Sequence, residues 1–231
     1  MDRALPVITV DGPSGVGKGT LSRALACHYG FNFLDSGAIY RLLALRTLLL
    51  NVEADDDAKI IQLARNLEAE FIPNAEDGSL VIALHGEVVT DAIRSEACGQ
   101  RASWVAAKPE VRALLLERQR AFAKVPGLVA DGRDMGTVVF PDAVAKFFLT
   151  ASSQVRAERR YKELCQAGIN VTLRGVLDEL EARDHRDRNR SVSPLLPAAD
   201  AIEIDTSHLS IAQVLAKVTQ VLSGNVHIQT Q

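Results

Sequence analysis

Val7-Ile8-Thr9-Val10-Asp11-Gly12-Pro13-Ser14-Gly15-Val16-Gly17-Lys18-Gly19-Thr20-Leu21-Ser22-Arg23 decides how this chain folds. The first four residues read as a strand, the segment from Leu21 to Ala26 reads as a helix, and Gly12 to Thr20 is the loop between them. A glycine-rich loop at that junction can turn several backbone N–H groups toward one concavity. The helix dipole adds partial positive charge there, and Lys18 adds a full one. That combination suits a polyphosphate. The bare pattern G-x-x-x-x-G-K-[ST] is moderately specific, and here Gly19 separates the lysine from Thr20. With strand, loop and helix in order, a nucleotide site is a better reading than a glycine-rich surface turn.

Outward from this loop, strand-like and helix-like segments alternate, which predicts a parallel sheet covered by helices. The helix after the loop is expected at about 17–29, ended by Gly30. Further strands are expected at 31–34, 128–131, 145–149 and 201–205, the second of these behind the turn Pro126-Gly127. A segment at 38–50 is apolar nearly all round and predicts a buried helix. The closing helix begins at a capping box of Ser210 and Gln213, with Ile211, Val214, Leu215, Val218, Val221 and Leu222 on its apolar face. One region breaks the alternation. Asp55-Asp56-Asp57 opens a helix reaching about Leu67, and 70–72, 80–84 and 87–90 then read as strands joined by the turns Glu76-Asp77-Gly78 and His85-Gly86. This is a small antiparallel meander, either a structural extension or a cover over a second ligand; position alone leaves both open. From Asn225 the chain is a polar tail.

A length of 231 residues allows one large α/β domain with an insert, and 47% hydrophobic with 24% charged residues is the balance of a globular chain. With 26 basic and 29 acidic residues, no global field would recruit a nucleic-acid polymer or an anionic membrane. The longest oily run, 42–50, contains Arg46 and is too short to span a bilayer. No signal-peptide pattern precedes the first strand. Cys27, Cys98 and Cys165 are odd in number and widely spaced, which predicts small buried thiols in a reducing compartment, so a cytoplasmic location is expected. His28, His85, His208 and His227 show no metal spacing, and Trp104 reads as packing.

Three signals follow strands at the edge where a doubly wound sheet presents its ligands. They are Asp35-Ser36-Gly37-Ala38-Ile39-Tyr40-Arg41, then Asp131-Gly132-Arg133-Asp134-Met135-Gly136-Thr137, then a helix bearing Arg156, Arg159 and Arg160. A fourth cluster runs from Arg183 to Arg190. Phosphoryl transfer between two anionic substrates needs this layout, because two phosphate-bearing molecules repel and must be met by cations from more than one direction. Arginine grips phosphate with a planar, permanently charged fork. Asp131, ending an apolar strand opposite the phosphate loop, is the candidate to orient magnesium, which keeps most of its waters and needs few carboxylates.

The loop G-P-S-G-V-G-K-G-T, with L-D-S-G-A-I-Y-R, D-G-R-D-M-G-T and R-D-x-R-D-R-N-R, resembles the bacterial cytidylate kinases over nearly the whole chain. Ile39 stands where that family often has methionine, and His185 falls inside the last run at a position not assigned to ligand. The resemblance implies a P-loop NTPase fold: a five-stranded parallel sheet flanked by helices, with an inserted monophosphate-binding region containing a small antiparallel sheet and a short helical lid. The implied divisions are a core of 1–37, 124–152 and 172–224, a monophosphate region of 38–123, a lid of 153–171 and a tail of 225–231. It implies transfer of the ATP γ-phosphoryl group to CMP or dCMP with magnesium. Gly12, Pro13, Ser14, Gly15, Val16, Gly17, Lys18, Gly19 and Thr20 would wrap the ATP phosphates, with Lys18 on the transferred group. The lid arginines around Arg159 would cover ATP. Ser36, Arg41 and Arg133 would hold the acceptor phosphate, and Ser103, Arg112 and Asp134 the cytosine edge. Asp187 would hold the ribose, and Arg183 and Arg190 the transferring group. Read from the residues alone, Ser103 and Arg112 sit in ordinary helical sequence and face solvent. The expected partners are ATP and CMP or dCMP, with no nucleic-acid polymer or membrane and a monomer as the working form. Two rivals share the loop: another P-loop small-molecule kinase, acting on UMP, AMP or a non-nucleotide acceptor, and a nucleotide-dependent switch that is not a kinase.

Overall fold

The computed structural model describes residues 5–53, 55–73 and 80–224. The turn Glu76-Asp77-Gly78, the polar tail and His227 lie outside the described residues. The chain divides into two compact units, residues 1–35 with 119–231, and residues 36–118.

In the first unit, β1 (Val7–Asp11), β2 (Asn32–Asp35), β6 (Leu128–Gly132), β7 (Ala145–Thr150) and β8 (Ile202–Asp205) form a parallel sheet in the order β2-β6-β1-β7-β8. Every residue of β1 and β6 is buried, so these strands read as continuous rather than alternating apolar runs. The helices are α1 (Lys18–Tyr29), α6 (Ser153–Gln166), α7 (Leu173–Asn189) and α8 (Ile211–Ser223). Ile8, Val10 and Phe147 of the sheet pack with Leu21 and Leu25 of α1 and with Val214, Val218 and Leu222 of α8. The Ser210–Gln213 capping box is present. Ile211 and Val221, however, are 43% and 41% exposed, so the apolar face of α8 is narrower than its sequence suggests. α6 and α7 pack on each other through a smaller core of Ala157, Leu164, Val176 and Leu180.

The second unit carries α2 (Ser36–Leu49), α3 (Asp57–Arg65), β3 (Ala69–Pro73), β4 (Leu80–Leu84), β5 (Glu87–Val88), α4 (Glu96–Val105) and most of α5 (Pro109–Arg120). β3, β4 and β5 form the antiparallel meander. Its second turn, His85-Gly86, has φ of 49° and 82°, the paired left-handed conformation of a two-residue hairpin. β5 is two residues shorter than expected. Val89 N–H still reaches Ile82 O at 2.8 Å, but the Ile82 N–H is taken by the Thr90 hydroxyl at 2.9 Å, which closes the ladder. α3 is also shorter, because Asp56 caps it by accepting from Lys59 N–H.

Three packing expectations fail. Cys27 and Cys165 are exposed and only Cys98 is buried. Trp104 is 53% exposed. Among the described residues, no helix is long and apolar enough to cross a membrane.

Candidate active site

The phosphate loop is built by close backbone approach. Gly12 has φ 144°, and an added Cβ would lie 2.2 Å from the carbonyl oxygen of Leu149 in β7, so no side chain fits there. Gly17, with φ 91°, caps α1, and Leu21 N–H bonds its carbonyl at 3.1 Å. Lys18 curls back over the loop, its Nζ donating to Pro13 O at 2.8 Å while its side chain is buried. Gly19 lies beside both Arg23 and Asp131: an added Cβ would be 3.4 Å from Arg23 Nη1 and from Asp131 Oδ2. The extra glycine of the motif therefore marks where the strand-end carboxylate meets the loop.

Three aspartates stand at the C-terminal ends of neighbouring strands, with Asp35 in register with Asp131 and Asp11 with Gly132. Asp131 is buried, which pushes its pKa up; Asp35 adds to this while Lys18 opposes it. Burial pulls Lys18 down in turn, assisted by Arg133 and Arg183, with Asp131 opposing. Asp11 is pushed up to about 6 by burial, against the hydrogen bonds it accepts from Gly136 N–H at 2.8 Å and Met135 N–H at 2.9 Å. Those two bonds fasten the start of a π-helical turn, Met135–Val139, directly after Asp134. Sequence reasoning missed both this turn and the role of Asp11.

Several arginines of this unit gather at the loop and around Asp187. Arg133 donates from Nη2 to Ser14 Oγ at 2.8 Å and from Nε to Asp187 Oδ2 at 3.1 Å. Burial disfavours its charge, but the Asp187 and Asp131 carboxylates outweigh that and raise its pKa. Burial likewise works against Asp187, but Arg133, Arg183 and Arg190 together hold its carboxyl below the usual range. Arg190 Nε donates to Ser193 O where α7 ends. Asp134 is buried.

On the other side of the loop, Arg159 donates to Thr206 O at 2.6 Å and to Thr206 Oγ1 at 3.3 Å, and that hydroxyl donates to Val16 O at 3.1 Å. Between them lies a cleft of about 260 Å³ lined by Gly15, Val16, Gly17, Thr20, Leu149, Arg159, Glu163, Thr206, Leu209, Ile211 and Val214. Here Ile211 finds its use: it walls the cleft rather than the core. A cleft of mixed polar and apolar lining that opens from a phosphate loop, beside an arginine, suits the nucleoside end of a nucleotide.

In the second unit, Ser36 begins α2 and is buried. Arg41 donates to Ile93 O at 2.7 Å and lies against Gly99, where an added Cβ would come within 3.2 Å of Nη2. Ser103 and Arg112 are 5% and 7% exposed, contrary to the solvent-facing positions their helical sequence suggests. Arg112 donates to Ala106 O at 3.1 Å, and its guanidinium carbon sits 5.4 Å from the centre of the Tyr40 ring. Nothing in the helix periodicity marks these two residues, because their burial comes from neighbours on other elements.

Residues 8–223 match the sequence profile described as cytidylate kinase. The chain is similar to the cytidylate kinase of Shewanella piezotolerans, 55% identical over 216 residues and 94% of both chains. It is also similar to that of Shewanella denitrificans, 50% identical over 226 residues, 98% of this chain and 100% of the relative. Among solved structures, a sugar kinase from Janibacter sp. aligns over 99% of this chain at 16% identity with a TM-score of 0.46, a likeness too slight to add to the argument.

Proposed function

The chain belongs to the cytidylate kinase family, and from that premise we propose that it transfers the γ-phosphoryl group of ATP to CMP or dCMP with magnesium, yielding ADP and CDP or dCDP. The observation that carries this reading is charge. Burial depresses the Lys18 pKa and the nearby Arg133 and Arg183 add to that, while Arg190 joins the two arginines around Asp187. So many cations beside one loop exceed what a single nucleotide requires and suit two phosphate-bearing substrates. A nucleotide switch has no use for them.

In this reading the base of ATP enters the cleft under Arg159, and its phosphates follow Gly12 to Thr20. Polyphosphate charge would restore the Lys18 ammonium that burial disfavours, drawing it from Pro13 O onto the transferred group. The acceptor phosphate is itself anionic, so its oxygen attacks without a general base, in keeping with a site that contains no histidine among the residues assigned to it. Ser36, Arg41 and Arg133 hold that phosphate, Asp187 the ribose, and Arg183 and Arg190 the transferring group. The residues present fit magnesium: Asp131 is a hard oxygen donor whose ionised form burial opposes, and Thr20 is exposed on the first turn of α1. Bound there with its waters, the ion would offset charge on the transferred group. The three cysteines are free, which favours a reducing cytoplasm, and a monomer is the working form proposed.

Cytosine is distinguished by an amino donor next to a ring acceptor. Asp134 is assigned to accept from the amino group, Arg112 to donate to the ring nitrogen and O2, and Ser103 to assist. Uracil reverses that pattern, and such mismatched polar contacts can cost up to about 10⁴-fold. An ADP-release assay across CMP, dCMP, UMP and AMP tests the proposal. CMP and dCMP should be strongly preferred, and Asp134→Ala should lower kcat/KM for CMP far more than for UMP. Wild-type use of UMP or AMP on a par with CMP would overturn it.

A further inference from the structure

We propose that Arg156 and Asp184 are positioning residues that hold the main-chain carbonyl of Ser14, and with it the tip of the phosphate loop, in the shape that accepts ATP. The inference rests on the reading of that loop as the ATP site. Arg156 is 3% exposed and divides its donors among three elements. Its Nε reaches Ala151 O at 3.2 Å, at the end of β7, its Nη1 reaches Ser14 O at 3.1 Å, and its Nη2 meets Asp184 Oδ2 of α7 at 2.6 Å. Asp184 is 5% exposed. The pair is the main compensation for burying Asp184, since its other carboxylate oxygen, Oδ1, is buried without a hydrogen-bond partner. Only a guanidinium can span three acceptors in one plane; an ammonium on a flexible stem cannot.

The same helix reaches Ser14 a second time. Asp187, one turn beyond Asp184, carries Arg133, which donates to the Ser14 hydroxyl. Thus α7 grips one loop residue at its carbonyl through Arg156 and at its side chain through Arg133. The two grips differ in purpose. Arg133 and Asp187 belong to the proposed substrate site, whereas Arg156 spends its hydrogen bonds on the protein. Because the peptide group is planar and trans, fixing the Ser14 carbonyl also fixes the Gly15 N–H on the opposite side, which leaves that donor for a phosphate oxygen. Gly15 fits the same scheme. Its φ is 80°, and an added Cβ would fall 3.1 Å from Arg156 Cβ, so a side chain there would press the arginine away.

Removing Arg156 alone leaves Asp184 buried without its ion pair and endangers the fold. The decisive variant is therefore the double substitution Arg156→Met with Asp184→Leu, since exchanging both members of a buried pair for apolar residues is often neutral for stability. Three quantities are measured: melting temperature, titration with a fluorescent N-methylanthraniloyl ATP, and kcat/KM for ATP at saturating CMP. The expected result is a melting temperature near that of wild type with ATP binding weakened and kcat/KM for ATP lowered by on the order of 10²-fold, the scale of a small misplacement at a reacting centre. Arg156→Lys, which can keep the ion pair but not all three contacts, should show the same ATP defect. If either folded variant binds and uses ATP as wild type does, the pair is structural and the proposal is overturned. Wild-type protein that binds the analogue yet forms no CDP would defeat only the functional reading, leaving this test intact.

Discussion

The central strands of the parallel sheet and the strands of the meander treat acidic residues in opposite ways. In the parallel sheet, Asp11 and Asp131 are buried at the ends of strands covered on both faces, and burial raises both pKa values. In the meander, Glu70 and Glu87 are exposed, and β5 is exposed at both of its residues. The central strands, buried on both faces, carry their acidic groups at their ends, poorly solvated and dependent on neighbours, whereas Glu203 and Asp205 of the edge strand β8 are exposed. Charge placed there responds to whatever binds. Charge on a half-open meander already has water and does little. The difference teaches that a carboxylate's layer, more than its position in a motif, decides whether it is available for chemistry.

The contrast can be tested hardest at the strand-end cluster. Lys18→Met removes the ammonium among Asp131, Asp11, Arg133 and Arg183, and should lower kcat by about 10²–10³-fold, the cost of losing one donor to developing charge. Steady-state kinetics with both substrates measure this; an unchanged kcat with only a raised ATP KM would mean that Lys18 merely binds. Gly12→Ala should destabilise the protein by about 3 kcal/mol in urea unfolding, since its Cβ meets Leu149 O at 2.2 Å. A wild-type midpoint would show that the loop's approach to β7 can relax.

Asp11→Asn sharpens the comparison through pH. The native pKa of Asp11 is about 6 against an ordinary 3.8, so between those values the folded state binds the proton more tightly than the unfolded one. Wild-type stability from this group therefore falls as pH rises from about 4 to about 6 and is level above that. The Asn variant lacks that slope, so its stability relative to wild type should climb across the same window. Unfolding curves at pH 4.5 and 7 read the change; no relative change would mean that Asp11 titrates normally. The smallest effect is expected in the meander. Val88, 70% exposed, replaced by threonine should shift stability by less than about 0.5 kcal/mol, and a larger loss would show that this face is covered.

Much of this was legible along the chain. The strand–loop–helix at Val7 to Arg23, the alternation of elements, the Ser210 capping box and the His85-Gly86 turn all depend on backbone sterics and hydrogen bonds within a few residues. So does the placement of charged clusters after strands. Burial was less legible. Ser103 and Arg112 look like surface helix residues, Cys27 and Cys165 like buried thiols, and Ile211 like core, yet each was decided by what packs nearby from elsewhere.

The sequence by itself determined the phosphate loop, the parallel sheet and the family, because glycine geometry, apolar runs and motif spacing act locally. Only the tertiary structure decided which charges are locked and which are open. Asp11 is 124 positions from the Met135 amide it accepts, and Ser14 is 119 positions from the Arg133 that donates to it and 142 from Arg156. Desolvation and ion pairing depend on distance in space, and no local pattern carries that distance.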